Sequence, residues 1–230
     1  CDGNVGTSGE SYNGFSQLSV ARANPPHLKT VCPFMTSWTK FPGIYDWGIF
    51  SPVMFSWAIG RVLDKEKYDP GHYSPEIIEK MKYFSARTVE LVDHLPMVEM
   101  PAANIPELPE LYCHRELLEN LDNKEYLADI GRVEGFEQTT VPTLNLTGWN
   151  DFLRDKTIYN YTQFVKRGGS EDCRKKSRLI VGPWKHSGRL EGNIEGVDYG
   201  PEGSNDGYGF TRKLIDWYNY HLKGQDSKFM

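Results

Sequence analysis

The chain has 230 residues, of which 39% are hydrophobic and 25% charged, and its formal net charge is -5. This composition is typical of a globular protein with enough apolar material for one to two domains. The negative charge offers no basic surface for nucleic acid, and no apolar run approaches the roughly 20 residues that cross a bilayer, so the sequence predicts neither a nucleic-acid nor a membrane partner.

The first predicted elements are a short strand of small residues and a helix over residues 11–23. Ser11 stands between them, in the run Gly-Glu-Ser-Tyr-Asn-Gly at residues 9–14. A serine on a sharp turn from strand to helix, with small neighbours that let the two approach, is the pattern of a nucleophile elbow. The backbone N–H of Tyr12 would then face an oxyanion. The second glycine follows the serine by three positions instead of two, and a plain glycine-flanked turn is the alternative.

The strand–helix pattern of the first residues gives way to a helical pattern after residue 35. Asn-Pro-Pro at residues 24–26 ends the helix, and a strand over residues 28–33 completes a βαβ unit. Residues 36–140 then carry amphipathic helical stretches, such as residues 75–95 with Ser74 as the N-cap. We predict that this region is an inserted helical cap.

The cap separates two pieces of a sheet domain, residues 1–35 and residues 141–230. Its first part is rich in aromatic residues, most of which we expect to pack the cap onto the sheet, while the remainder line an acyl pocket. These residues are Trp38, Phe41, Tyr45, Trp47, Phe50, Phe55 and Trp57.

The sheet pattern resumes with two predicted strands, at residues 141–148 and 177–182. Asp151 closely follows the first strand and His186 the second, whereas the other histidines lack a strand-end setting. Parallel sheets place ligands beyond the carboxyl ends of their strands, so we expect both side chains near the serine. Asp155 is the rival acid, but it falls in the helical run that follows, where a solvated face is expected.

Aromatic residues flank these two candidates. Trp149 and Phe152 adjoin the acid and Trp184 precedes the histidine, so we predict that they line the substrate pocket, with support of the two loops as the alternative. Residues 188–209 are rich in Gly, Glu, Asp and Asn but lack EF-hand spacing, and we interpret them as a flexible loop beside the site.

Three separated blocks resemble the X-Pro dipeptidyl-peptidase-like α/β-hydrolases, a family that includes cocaine esterases, α-amino acid ester hydrolases and glutaryl cephalosporin acylases. They are residues 1–14, 147–152 and 181–187. Residues 217–224 also resemble the helix end that finishes the family's catalytic domain. The resemblance implies an α/β-hydrolase fold with an inserted helical cap.

The resemblance also implies a role for each candidate. Ser11 becomes the nucleophile, His186 the general base and then acid, and Asp151 the group that orients the imidazole. The chemistry agrees, because a serine hydroxyl is a poor nucleophile until an adjacent base takes its proton. Tyr12 would supply one oxyanion donor through its backbone.

The predicted fold is incomplete. The chain opens almost on the strand that carries the serine, whereas a doubly wound hydrolase sheet needs several earlier strands, so we expect the N-terminal strands to be missing. In the resembled family a tyrosine from that upstream region supplies a second oxyanion donor, and a β-sandwich domain follows the catalytic domain. Losing one such donor costs on the order of 100- to 1000-fold in rate, so we expect the isolated piece to be impaired or poorly soluble.

The predicted function is hydrolysis of an ester or amide through an acyl-enzyme, of the esterase or acylase type. An X-Pro dipeptidyl-peptidase and a non-catalytic truncated piece are the alternatives. The expected partner is a small-molecule ester, amide or short peptide; no cofactor or metal is implied, and a homo-oligomer and the compartment are left open.

The cysteines give no motif. They stand at positions 1, 32, 113 and 173 without C-x-x-C spacing, which indicates neither a zinc site nor a redox pair and leaves disulfides open. Cys32 lies in an apolar stretch and is interpreted as a core residue.

Overall fold

The computed structural model describes residues 2–38, 45–46, 49–50, 53–108, 115–120, 122–123, 125–126, 135–186 and 192–230. The chain divides into two compact units, one formed by Cys1–Pro42 with Val133–Met230 and the other by Gly43–Arg132. The α-helices whose bounds lie within the described residues are α1 (Tyr12–Ala23), α2 (Val53–Tyr68), α3 (Pro75–Ser85), α4 (Thr88–Val92), α5 (Arg154–Arg167), α6 (Glu171–Lys176), α7 (Asn205–Tyr208) and α8 (Phe210–Lys223).

The first unit is built on a parallel sheet of four strands that lie side by side in chain order. The strands are β1 (Val5–Glu10), β2 (Leu28–Phe34), β3 (Leu144–Asn150) and β4 (Arg178–Lys185). Because all four run the same way, their carboxyl ends share one edge of the sheet, and this edge is where the predicted site residues follow β1, β3 and β4.

Helices cover both faces of this sheet. Alternate residues of β2 point to opposite faces. The Trp217 indole of α8 donates to Thr30 Oγ1 at 2.8 Å and packs in one buried cluster with Cys32. Val31, on the other face, packs with Ala21 of α1. This layering, helix on sheet on helix, is that of a three-layer α/β fold.

Strands β3 and β4 extend further than the sequence predicted. Their pairing continues past a register shift, so that Asn150 lies opposite Lys185. Gly148 allows this, because a Cβ there would lie 1.9 Å from the carbonyl oxygen of Trp184. The residues predicted to begin the two loops are therefore still in the sheet.

The helical unit is narrower than the predicted insertion at residues 36–140. Trp38 stacks on Phe136, with ring centroids 4.6 Å apart, and both contact Phe164 of α5 in the sheet unit. Burial of these rings therefore holds both ends of the predicted insertion in the first unit. That the helical unit acts as a cap remains a prediction.

Inside the helical unit, α3 begins as predicted, with the Ser74 side chain accepting from the backbone N–H of Ile77 at 3.3 Å. The predicted single helix over residues 75–95 was wrong, because α3 ends at Ser85 and α4 starts at Thr88. Leu91 of α4 is buried like Met81 and Phe84 of α3, so helical spacing of buried residues continues across the break between the two helices.

The aromatic residues that the sequence placed in the first part of the cap differ in their burial and in their secondary structure. Phe55 is buried, Trp57 is exposed, and Tyr45 and Phe50 pair in a short antiparallel hairpin. Phe41 and Trp47 lie outside the described residues.

The predicted loop at residues 188–209 contains short secondary structure from residue 193 onward. Strands Asn193–Ile194 and Val197–Asp198 pair in an antiparallel hairpin, and helix α7 follows. Ile194 is buried and anchors the hairpin to the unit. Within the part of the chain that the structure describes, no helix has the length and apolar character to cross a membrane.

His221 of α8 gives the fold a pH dependence. Burial lowers its pKa to about 4, and the nearby positive charge of Lys176 and Arg178 acts in the same direction, while Asp172 opposes it. Its Nε2 is buried without a hydrogen-bond partner in the described structure. The neutral imidazole is therefore the form that the folded state accommodates.

We expect the free energy of unfolding to fall as the pH drops from 6.5 toward 4, because the unfolded state then binds a proton that the folded state excludes. Between pH 7 and pH 5 the contribution is at most about 2 kcal/mol, because solvent screens part of the shift of this partly buried imidazole. Urea unfolding of the parent and of His221→Gln at both pH values measures it. Equal losses of stability in the two proteins would contradict this assignment.

Candidate active site

Ser11 occupies the turn between β1 and α1 with φ 57° and ψ -121°, a strained backbone for a residue that is not glycine. Its N–H donates to Phe34 O at 3.0 Å, and its carbonyl accepts from the N–H of Phe15 at 3.0 Å. The turn is thus fixed by the neighbouring strand on one side and by the first turn of α1 on the other.

Two glycines make this turn sterically feasible. A Cβ on Gly9 would lie 2.4 Å from Asn13 O, and one on Gly14 would lie 2.8 Å from the Cβ of Thr36. Only glycine permits both approaches, which is the physical basis of the run of small residues noted in the sequence.

A chain of hydrogen bonds joins the three predicted site residues. Ser11 Oγ lies 2.9 Å from His186 Nε2, and His186 Nδ1 lies 2.9 Å from Asp151 Oδ1. A carboxylate only accepts, so Nδ1 carries the imidazole proton and Nε2 is left to accept from the serine hydroxyl. The residues meet although 175 positions separate the serine from the histidine.

The Asp151 carboxylate is buried and held at both oxygens. Thr147 Oγ1 donates to Oδ2 at 3.0 Å, and the backbone N–H of Leu153 donates to Oδ1 at 3.0 Å. Asp155 is exposed on α5, where hydrogen bonding and the positive charge of Arg154 lower the pKa of its carboxyl. The structure thus brings Asp151, and not Asp155, to the histidine.

Thr147 is a site residue that the sequence did not reveal. It lies on β3 one residue before the Gly148 that was read as the end of the strand, and it carries no motif of its own. Its hydroxyl reaches the Asp151 carboxylate because the chain turns back between these two residues, which are four positions apart.

Tyr12 is the first residue of α1, so its backbone N–H has no acceptor within the helix. Its side chain is 75% exposed. The N–H adjoins the Ser11 hydroxyl in the chain, which is the arrangement of an oxyanion donor in a nucleophile elbow.

Two of the predicted pocket residues, Trp149 and Phe152, have exposed side chains, and Trp184 does not. The Phe152 ring is 4.4 Å from the His186 imidazole, and Trp149 is 59% exposed. Trp184 is only 2% exposed, and its indole N–H donates to Gly203 O at 2.7 Å. The placement of Trp184 in the pocket was therefore wrong.

The error has a geometric cause. Since β4 continues to Lys185, the twofold alternation of a strand puts Trp184 on the same face as Ile180, and both belong to the buried cluster beneath α8. Gly182 makes space for the indole, whose ring atoms would lie 2.5 Å from a Cβ at that position.

No three His, Cys, Asp or Glu side chains among the described residues are grouped so as to bind a metal ion. Cys32 is buried and free, and burial raises the pKa of its thiol to about 12, as expected for a core residue. Cys173 is likewise buried and free.

The parallel sheet with helices on both faces, and with a serine on the strained turn after β1, has the α/β-hydrolase fold. Two solved structures share it. An aminopeptidase from a marine-sediment Thaumarchaeota archaeon aligns with a TM-score of 0.51 at 17% identity, covering 97% of this chain and 35% of its own. An α-amino acid ester hydrolase aligns with a TM-score of 0.52 at 17% identity, covering 95% and 34%.

The family model of the X-Pro dipeptidyl-peptidases (S15 family) matches residues 1–188, and the chain belongs to this family of hydrolases. The chain is also 26% identical over 232 residues to the cocaine esterase of Rhodococcus sp. (strain MB1 Bresler), an alignment that covers 98% of the chain and 38% of the esterase. These findings confirm the family and the fold class that the sequence motifs predicted. The chain spans well under half the length of each of these three relatives.

Proposed function

We propose that this protein hydrolyses an ester or amide through an acyl-enzyme formed on Ser11. The observation that carries the proposal is the unbroken hydrogen-bonded chain from Ser11 Oγ through His186 to the buried Asp151. A nucleophile, a base in reach of its proton, and a third group that orients the base are the three parts of this mechanism.

In the first half of the reaction, Ser11 Oγ attacks the substrate carbonyl carbon as its proton passes to His186 Nε2. The carbonyl oxygen becomes an oxyanion, which the Tyr12 N–H stabilises. His186 then gives the proton to the leaving alcohol or amine, and the acyl group remains on Ser11.

In the second half, water attacks the acyl-enzyme, with His186 Nε2 again taking and returning the proton. Asp151 keeps the Nδ1 proton in place and stabilises the imidazolium that forms in both halves. Its burial, together with the bonds from Thr147 and Leu153, keeps the carboxylate aimed at the ring.

The substrate class that we favour is an ester, or the amide substrate of an acylase. The exposed ring of Phe152, whose centroid lies 4.4 Å from that of the His186 imidazole, offers an apolar surface beside the base for an acyl or leaving group, and we propose that the exposed Trp149 extends it. The names of the cocaine esterase and of the α-amino acid ester hydrolase agree with ester cleavage. The description of the matching family supports the second candidate, an X-Pro dipeptidyl-peptidase.

Two chromogenic substrates separate these candidates. We expect the chain to release p-nitrophenol from short acyl p-nitrophenyl esters and to leave X-Pro p-nitroanilides uncleaved. Release of p-nitroaniline at a comparable kcat/KM would favour the dipeptidyl-peptidase instead. Turnover that persists unchanged in Ser11→Ala would contradict both, because it would place the reaction elsewhere.

A further inference from the structure

A buried hydrogen-bonded connection joins the serine turn to the helix that follows the acid, independently of His186. It consists of Thr36, which follows β2, and Thr157, in the first turn of α5. We call this pair the threonine strap. Both side chains are at most 1% exposed, so water does not replace their hydrogen bonds.

Thr36 stabilises the turn at Ser11 by a hydrogen bond. Its hydroxyl donates to the carbonyl oxygen of Ser11 at 2.7 Å, which adds a third tether to a residue held at φ 57°. A strained backbone persists only where its surroundings over-determine it, and this bond comes from the segment that follows β2, whereas Ser11 follows β1.

Thr157 in turn binds the backbone of Thr36. Its hydroxyl oxygen accepts the N–H of Thr36 at 3.0 Å and lies 2.9 Å from Thr36 O and 3.1 Å from Leu153 O, to either of which it donates its one proton. Asn160 Nδ2 adds a bond to Thr36 O at 3.3 Å.

Leu153 completes the connection to the acid, because its N–H donates to Asp151 Oδ1. The path therefore runs from Ser11 through the threonine strap to Leu153 and Asp151. It links the two ends of the hydrogen-bonded chain by a second route, across 121 residues of sequence between the threonines.

We propose that Thr36 and Thr157 are positioning residues that set the distance between Ser11 and the Asp151–His186 pair. The proposal rests on the proposed function. Neither threonine touches the reacting atoms, and displacements of the order of 1 Å in such a site cost about 100-fold in rate. The strap acts by preventing that displacement.

The test compares the parent chain with Thr157→Val, Thr157→Ser and a matched control, Thr162→Val. Thr162 lies on the same helix, but its hydroxyl donates only within the helix, to Ile158 O at 2.8 Å. The first measurement is the rate at which a fluorophosphonate labels Ser11. The second is the downfield proton NMR signal of His186 Nδ1–H, which requires no turnover.

We expect Thr157→Val to slow labelling by about 10- to 100-fold and to shift or broaden the imidazole signal. Thr157→Ser should restore both, because it returns the hydroxyl, and Thr162→Val should match the parent. Parent-like labelling with an unchanged signal in Thr157→Val would overturn the proposal. Equal slowing in Thr157→Val and Thr162→Val would overturn it too, since a general loss of helix stability would then explain the effect.

Failure of the proposed function gives a different result. If the parent is not labelled at Ser11, the acyl-enzyme mechanism fails, and the NMR signal alone decides the role of the strap. A change confined to Thr157→Val supports that role, and an unchanged signal overturns it. A parent with neither labelling nor the imidazole signal overturns it as well.

Discussion

Replacing Ser11 with alanine is expected to lower kcat for ester hydrolysis by on the order of 10^6, the cost seen when the nucleophile of a serine hydrolase is removed. The substitution takes away the only atom that forms the acyl bond, while the imidazole and the carboxylate stay in place. Steady-state hydrolysis of a short p-nitrophenyl ester by the two proteins measures the difference.

Ser16→Ala is the matched control. Ser16 lies on α1, the helix that follows Ser11, and its exposed hydroxyl donates to Tyr12 O at 3.2 Å. We expect it to retain the parent rate. A Ser11→Ala protein that keeps more than a tenth of the parent kcat would show that this hydroxyl is not the nucleophile.

Asp151→Asn is expected to lower kcat by about 10^4 while leaving the fold in place. The amide presents either a donor or an acceptor to His186 Nδ1, so it no longer enforces the tautomer in which Nε2 accepts from Ser11. It also fails to stabilise the imidazolium. The backbone N–H of Leu153 can only donate, so the amide nitrogen would face a donor if it took the place of Oδ1.

Asp155→Asn separates this effect from a general loss of negative charge near the histidine. Asp155 lies four positions from Asp151 and forms an exposed ion pair with Arg154 at 2.8 Å, and such surface pairs contribute about 0–1 kcal/mol. We expect near-parent kcat for this variant. A larger loss in Asp155→Asn than in Asp151→Asn would reverse the assignment of the acid.

The sequence predicted Ser11, Asp151 and His186 as neighbours because each follows a recognisable strand, and parallel strands end at a common edge. The tight turn at Ser11 was also predicted from the sequence. Gly9 and Gly14 permit it, because a Cβ at either position would clash with residues in or next to the turn. These features depend on short stretches of chain.

The features that the sequence did not reveal depend on distant contacts or on exact strand ends. The threonine strap joins residues 121 positions apart that carry no motif. Trp184 was assigned to the pocket because β4 was expected to stop at residue 182, whereas pairing beyond the register shift at Gly148 carries the strand to Lys185. The break between α3 and α4 was not predicted, because buried Phe84 and Leu91 keep helical spacing across it.

Labelling of the 230-residue chain with a fluorophosphonate, followed by mass mapping of the modified peptide, tests the central claim most directly. The account predicts one adduct, on Ser11, because this hydroxyl is hydrogen-bonded to an imidazole that a buried carboxylate orients. Labelling should vanish in Ser11→Ala and persist in Ser16→Ala. A folded chain that is not labelled, or that is labelled at another residue, would contradict the assignment of Ser11 as the activated nucleophile.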